Sequence, residues 1–400
     1  MKAPRLLLGT LMALMACGEG TQGSIDRTAL GETAPCASCH QQIVESFSHT
    51  AHFNTSADAG RASIKGDFSE DRNVLRTHVD DVWFEMEERD GGFYQTGYTR
   101  VQTSGIRLPQ SSPPRSRTEP MHIVVGSGKV WQSYLYWKDD GLFQLPVSYL
   151  SHLGEWINSP GYDDGFIDFD RPILPRCLEC HSTSFHPRRD GSGMLYTREH
   201  ALGITCRKCH GDGSRHLEYH TTGSGDPADR HMMNPADFSR QGQLDACALC
   251  HGGDRRPKQP PFSFEPGDVL DDFFYEPSRR DNPLPDVHGN QVGLLEGSAC
   301  FLGSPDLTCS TCHDVHREER DPSVFATKCL GCHQVNDHPR AEEIGTRMQE
   351  FCVDCHMPRK KSDILQLAIP GRESFISYRS HAIAIYRDVA DSILQARRPQ

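Results

Sequence analysis

Seven times in this chain two cysteines stand three positions apart with a histidine directly after the second: Cys36–His40, Cys177–His181, Cys206–His210, Cys247–His251, Cys309–His313, Cys329–His333 and Cys352–His356. Two thiols at this spacing can form thioethers to the two vinyl groups on one edge of a porphyrin. The next imidazole then lies under the ring and ligates iron. Zinc ribbons also use such cysteine pairs, but do not require His after every second Cys. A thioredoxin-like redox site needs one pair, not seven. The repeats therefore predict seven covalently attached c-type hemes. The thioethers fall on Cys36, Cys39, Cys177, Cys180, Cys206, Cys209, Cys247, Cys250, Cys309, Cys312, Cys329, Cys332, Cys352 and Cys355, and the proximal ligands are His40, His181, His210, His251, His313, His333 and His356. Of 16 Cys only Cys17 and Cys300 are left over. Cys300 reads as an inert thiol, with a thiolate beside heme iron as the alternative.

A low-spin heme needs a sixth ligand, and 14 of the 21 His lie outside the motifs. Spacing restricts them. His313 and His316 share one helical face a turn apart, so they cannot flank one iron. His316 serves another heme, or none. The apolar Val44, Phe47 and Ala51 predict a helix over 41–51, which separates His40 from His52 by about 18 Å. His52 too belongs to another iron. The path from His210 through Gly211 and Gly213 to His216 is too short to round a porphyrin edge, so His216 reaches a second iron. The bland alternative for each is an ordinary surface or capping histidine.

Composition fits this reading. Only 36% of the chain is hydrophobic, against 35 Gly and 26 Pro. Apolar heme plates would replace much of a conventional core. Of the 42 cations 33 are Arg, the planar bidentate binder of carboxylates such as heme propionates. The formal charge of −12 argues against nucleic acid as a partner.

Lys2 and Arg5 precede an apolar run from Leu6 to Met15, ending Leu14-Met-Ala-Cys17-Gly. This is a targeting segment, too short to span a bilayer. It predicts export and a lipid anchor on Cys17 at the membrane, with ordinary cleavage after Gly18 as the alternative.

The positioning elements fall into blocks. Residues 1–17 are the signal, 24–60 the first heme-binding segment, 61–170 a β-rich segment, 171–360 the six-motif cluster and 361–400 a C-terminal helix. Val82–Tyr94 alternates and turns at Asp90-Gly91-Gly92, a hairpin signal. After a linker over 108–120, Ile123–Val125, Val130–Trp137 and Leu142–Leu145 read as strands, giving a small antiparallel β unit over 70–150. Residues 254–290 read as a long loop. Tyr378, Ala382, Ile385, Val389 and Ile393 share a face of a helix over 374–396, with His381 at its border as a candidate distal ligand.

The Cys206–His216 and Cys352-Val-Asp-Cys-His-Met-Pro358 forms resemble the multiheme cytochromes c, the superfamily of the tetraheme cytochrome of ammonia oxidisers, pentaheme nitrite reductase and octaheme hydroxylamine oxidoreductase. His122–Lys129, Gln132–Tyr136, Gln144–Tyr149, Ser159–Tyr162, His288-Gly-Asn-Gln291 and Ser298-Ala-Cys300 resemble an exported multiheme family of largely unassigned function. The resemblance implies a mainly α-helical and irregular fold organised around stacked hemes, with the small β insertion near 70–150. It also implies distal ligands at His52, His122, His216, His288, His316 and His381. The seventh is His186, His338 or a vacancy. All seven motifs end in His, where the nitrite reductases place a Lys in the catalytic motif, so that chemistry does not carry over. The expected function is electron transfer in the cell envelope, periplasmic or at the outer surface, with redox proteins as partners. The alternative is an oxidoreductase with one open heme acting on a small nitrogen or sulfur compound.

Overall fold

The computed structural model describes residues 29–100, 112–191, 193–223, 232–276, 290–369 and 372–396. Cys17 with its signal segment, and His288, lie outside the described residues. The strands are β1 (Ser56–Asp58), β2 (Val74–Arg76), β3 (Val82–Arg89), β4 (Gly92–Thr99), β5 (Arg115–Pro120), β6 (Ile123–Val125), β7 (Trp131–Lys138), β8 (Gly141–Gln144), β9 (Val147–Leu150), β10 (Glu155–Asn158), β11 (Ser182–Asp190), β12 (Gly193–Leu202), β13 (Arg359–Ile369) and β14 (Arg372–Arg379). Strands β2-β3-β4-β5 form one antiparallel sheet. A six-stranded sheet runs β1-β6-β7-β9-β10, with β8 paired to β7, and β11–β12 and β13–β14 are separate hairpins.

The turn joining β3 to β4 uses Asp90 at φ 51° and Gly91 at φ 75°, the two left-handed positions that a two-residue hairpin turn demands. Along β3 buried and half-buried residues alternate, as a strand covered on one face requires. Strand β7 is buried on both faces. Its Tyr134 and Tyr136 join Phe84, Met86 and Phe93 of the four-stranded sheet in one core. Its Leu135 packs with Ile123 and Leu142 against Leu178, Phe185, Tyr196 and Leu202. The six-stranded sheet is thus a middle layer, with the second sheet on one side and the Cys177 motif with the β11–β12 hairpin on the other. Gln95 ties the two sheets together: its Nε2 donates to Val147 O at 2.7 Å and its Oε1 accepts Val147 N–H at 3.1 Å.

The expected mainly α-helical and irregular fold is not what forms. The described residues are 34% helix and 26% strand with several antiparallel sheets, a mixed α/β fold. Pairing runs well beyond residues 70–150. The hairpin β11–β12 interrupts the motif cluster around an Asp190-Gly191 turn. The last six residues of the 108–120 linker are β5. Strand β14 takes Tyr378 out of the expected helix, which begins only at Arg387. The physical reason is that Phe375, Ile376 and Tyr378 suit a strand as well as a helix. A partner strand, here β13, decides between them.

Candidate heme-binding site

Each motif sits on a helical turn. Cys206–His210 and Cys352–His356 are single-turn helices. Cys177–His181 closes the helix Pro175–His181, and Cys247–His251 closes Arg240–His251. Cys309 opens a 3-10 turn and Cys329 ends the helix Pro322–Cys329. Cys36 and Cys39 lie in the helix Ala29–Ser48, which kinks at His40 (φ −109°, ψ 37°). Residues at i and i+3 share a helical face, so both thiols of a helical motif project to one side. None of the fifteen described cysteines is in a disulfide.

The fold brings motif imidazoles against imidazoles from elsewhere in the chain. Ring centroids are 6.3 Å apart for His40 and His216, 6.2 Å for His210 and His316, 6.0 Å for His251 and His52, 6.1 Å for His313 and His381, and 6.1 Å for His356 and His338. Two imidazoles bound to one iron, each nitrogen about 2 Å from the metal, place their centroids about 6 Å apart. The residues therefore fit bis-histidine heme.

Hydrogen bonds orient several of these rings. Nδ1 of His210 lies 2.9 Å from Met233 O, Nδ1 of His356 lies 2.9 Å from Ala384 O, and Nδ1 of His381 lies 2.8 Å from Gln291 Oε1. With acceptors there, Nδ1 carries the proton and Nε2 keeps its lone pair for a metal. His338 differs: its Nδ1 accepts the Arg340 N–H at 3.1 Å. So does His122, whose Nδ1 accepts the Trp137 N–H at 2.9 Å, putting the ring proton on Nε2. Among the described residues no motif histidine ring is paired with His122. Nδ1 of His181 lies 2.9 Å from Thr55 Oγ1, and the His333 side chain is exposed.

Two of the paired imidazoles are less basic than a free one. Burial, reinforced by the neighbouring His52, His381 and His313, pushes the His251 imidazole down to about 4. Burial, with His313 beside it, pushes His381 down to about 4 as well. Neutral imidazole is the form that binds iron. Thiols from different motifs also meet. Cys36 is held well below the usual thiol range by a hydrogen bond from Cys206, and Cys309 is lowered in the same way by Cys247. A hydrogen bond with Cys180, together with burial, pushes the Cys250 thiol up. The attachment edges of motifs one and three, four and five, and two and four therefore lie side by side.

Arg176 escaped sequence reasoning. Its Nη2 donates to Leu249 O at 2.6 Å, tying motif two to motif four. Its buried Nε and Nη1 have no hydrogen-bond partner among the described residues, and the Glu179 carboxylate stands 3.6 Å from Nη1. A buried guanidinium with open donors suits a propionate. Its only sequence signal was the general Arg excess. Arg379 was missed too. It donates to Val353 O and Met357 O and pairs with Asp354 at 2.9 Å, closing the end of the Cys352–His356 helix.

Fold and site together define a multiheme cytochrome c-like protein. The family described as cytochrome c554 and c-prime matches residues 166–211, which enclose the Cys177 and Cys206 motifs. The crystal structure of the outer cell wall cytochrome OcwA is similar at 17% identity and a TM-score of 0.53, over 88% of this chain and 78% of that one. The undecaheme cytochrome from the S-layer of Carboxydothermus ferrireducens is similar at 16% identity and a TM-score of 0.32, over 66% of this chain and 45% of that one. No curated protein sequence matches the chain.

Proposed function

We propose that this chain is a heptaheme electron carrier of the cell envelope. The observation that carries the reading is the set of facing imidazoles. Four pairs, His40/His216, His210/His316, His251/His52 and His313/His381, would each hold one iron. In each, one ring follows an attachment motif and the other comes from a different segment. A histidine on both sides closes an iron to substrate and favours transfer over chemistry at the metal. The His356/His338 pair has the same separation, but His338 ligates only once its Arg340 N–H contact is exchanged. Bound heme supplies a one-electron iron couple. The protein's part is to hold the attachment edges of neighbouring motifs side by side.

The likeness to an outer cell wall cytochrome supports a place outside the cytoplasm. With the N-terminal targeting segment it supports a lipid-anchored protein exchanging electrons with other envelope redox proteins. Among the described residues no helix is long and apolar enough to cross a membrane.

The test is the oxidised holoprotein. Its mass should exceed the processed chain by seven hemes, after accounting for lipid, and electron paramagnetic resonance should show predominantly low-spin iron. A deficit of hemes in a host with full maturation machinery, or mainly high-spin iron, would overturn the assignment.

A further inference from the structure

Gln291 and Ser298, from two stretches that carry no attachment motif, converge on His381. Gln291 opens the helix Gln291–Glu296. Asn290 before it stands at φ 22°, a left-handed setting that Asn tolerates, and its Oδ1 caps the helix through Gly293 N–H at 3.3 Å. From there the Gln291 Oε1 reaches within 2.8 Å of His381 Nδ1. Ser298 is 2% exposed. Its Oγ donates to the His381 carbonyl at 3.0 Å and accepts the Ile383 N–H at 3.0 Å. His381 stands between β14 and the helix Arg387–Ala396, where no regular element holds it. What fixes its ring and its backbone comes from another part of the chain.

We infer that Gln291 and Ser298 are positioning residues for His381, and that Gln291 sets the potential of the iron between His381 and His313. This rests on the proposed reading of that pair as axial ligands. An amide oxygen accepting the Nδ1 proton makes the imidazole a stronger donor, which stabilises ferric over ferrous iron and lowers the potential. Ser298 anchors the main chain on both sides of Ala382, so the ring meets its partner without strand or helix support. The arrangement places the polar tuning group of that heme on a helix that carries no attachment motif.

The test uses the full holoprotein with its heme complement verified, in spectroelectrochemical titrations at pH 8. Gln291→Leu should move one midpoint potential positive while that heme stays low spin. Gln291→Glu, a stronger acceptor, should move the same potential negative. Ser298→Ala should convert part of one low-spin signal to high spin. Opposite shifts for Leu and Glu would not come from simple loosening of the fold. If both variants shift the potential in one direction, or neither shifts it, the tuning role is wrong. His381→Ala separates the two levels. If it turns one heme high spin while the Gln291 variants do nothing, the ligand reading stands and this inference falls. If it leaves every heme low spin, the ligand reading itself fails.

Discussion

The imidazoles of His210 and His316 lie nearly parallel, 13° apart, with centroids separated by 6.2 Å. His316 stands three residues after His313, yet it faces the histidine of a different motif. Replacing His316 with Ala should therefore turn the heme on Cys206 and Cys209 high spin and leave the heme on Cys309 and Cys312 low spin. Site-resolved assignment, by pairing the variant with loss of each attachment motif, checks this. A high-spin heme on His313 would contradict the pairing.

His216 faces His40 at 6.3 Å with planes 21° apart, while its neighbour in sequence, His210, faces His316. His216→Ala should open the heme attached at Cys36 and Cys39. His220, with its ring 4.6 Å from His216, is the nearby candidate for a substitute ligand. His216→Ala/His220→Ala should then be fully high spin at that one heme, where the single variant is mixed. Magnetic circular dichroism reads the difference. An unchanged spectrum in the double variant would remove His216 from the ligand set.

The β layer carries a pH-dependent contact. Arg117 grips Asp170 with two hydrogen bonds, Nη1 to Oδ2 at 2.5 Å and Nη2 to Oδ1 at 2.9 Å. The guanidinium holds the carboxyl below the usual carboxylate range. A depressed native pKa means stabilisation that is present above the unfolded value of about 3.9 and is lost as pH falls through the native one. Asp170 is 56% exposed, so the contribution is at most about 1 kcal/mol. Asp170→Asn should lower the thermal midpoint slightly at pH 7, and the difference should shrink as the pH approaches 3. A loss that is equal at both pH values would assign the effect to packing instead.

The attachment motifs were legible in the residues because they are local. Cys, Cys and His within five positions share one helical turn, and no distant contact is needed to align them. The Asp90-Gly91 turn was legible for the same reason, since its two left-handed positions are a property of two residues. Spacing also excluded His52, His216 and His316 from the irons of their own neighbouring motifs. It could not say which motif histidine each one faces. That choice depends on where the helix Ala29–Ser48 and the segments after Cys209 and Cys312 come to rest, and separations of many tens of residues leave no periodic trace. The hairpins β11–β12 and β13–β14 were hidden because strand pairing is a relation between two segments, whereas propensity belongs to one. The hold of Gln291 and Ser298 on His381 belongs wholly to the tertiary structure. A glutamine and a serine carry no chemical signature of their own, and they gain one only when folding sets them against an imidazole far along the chain.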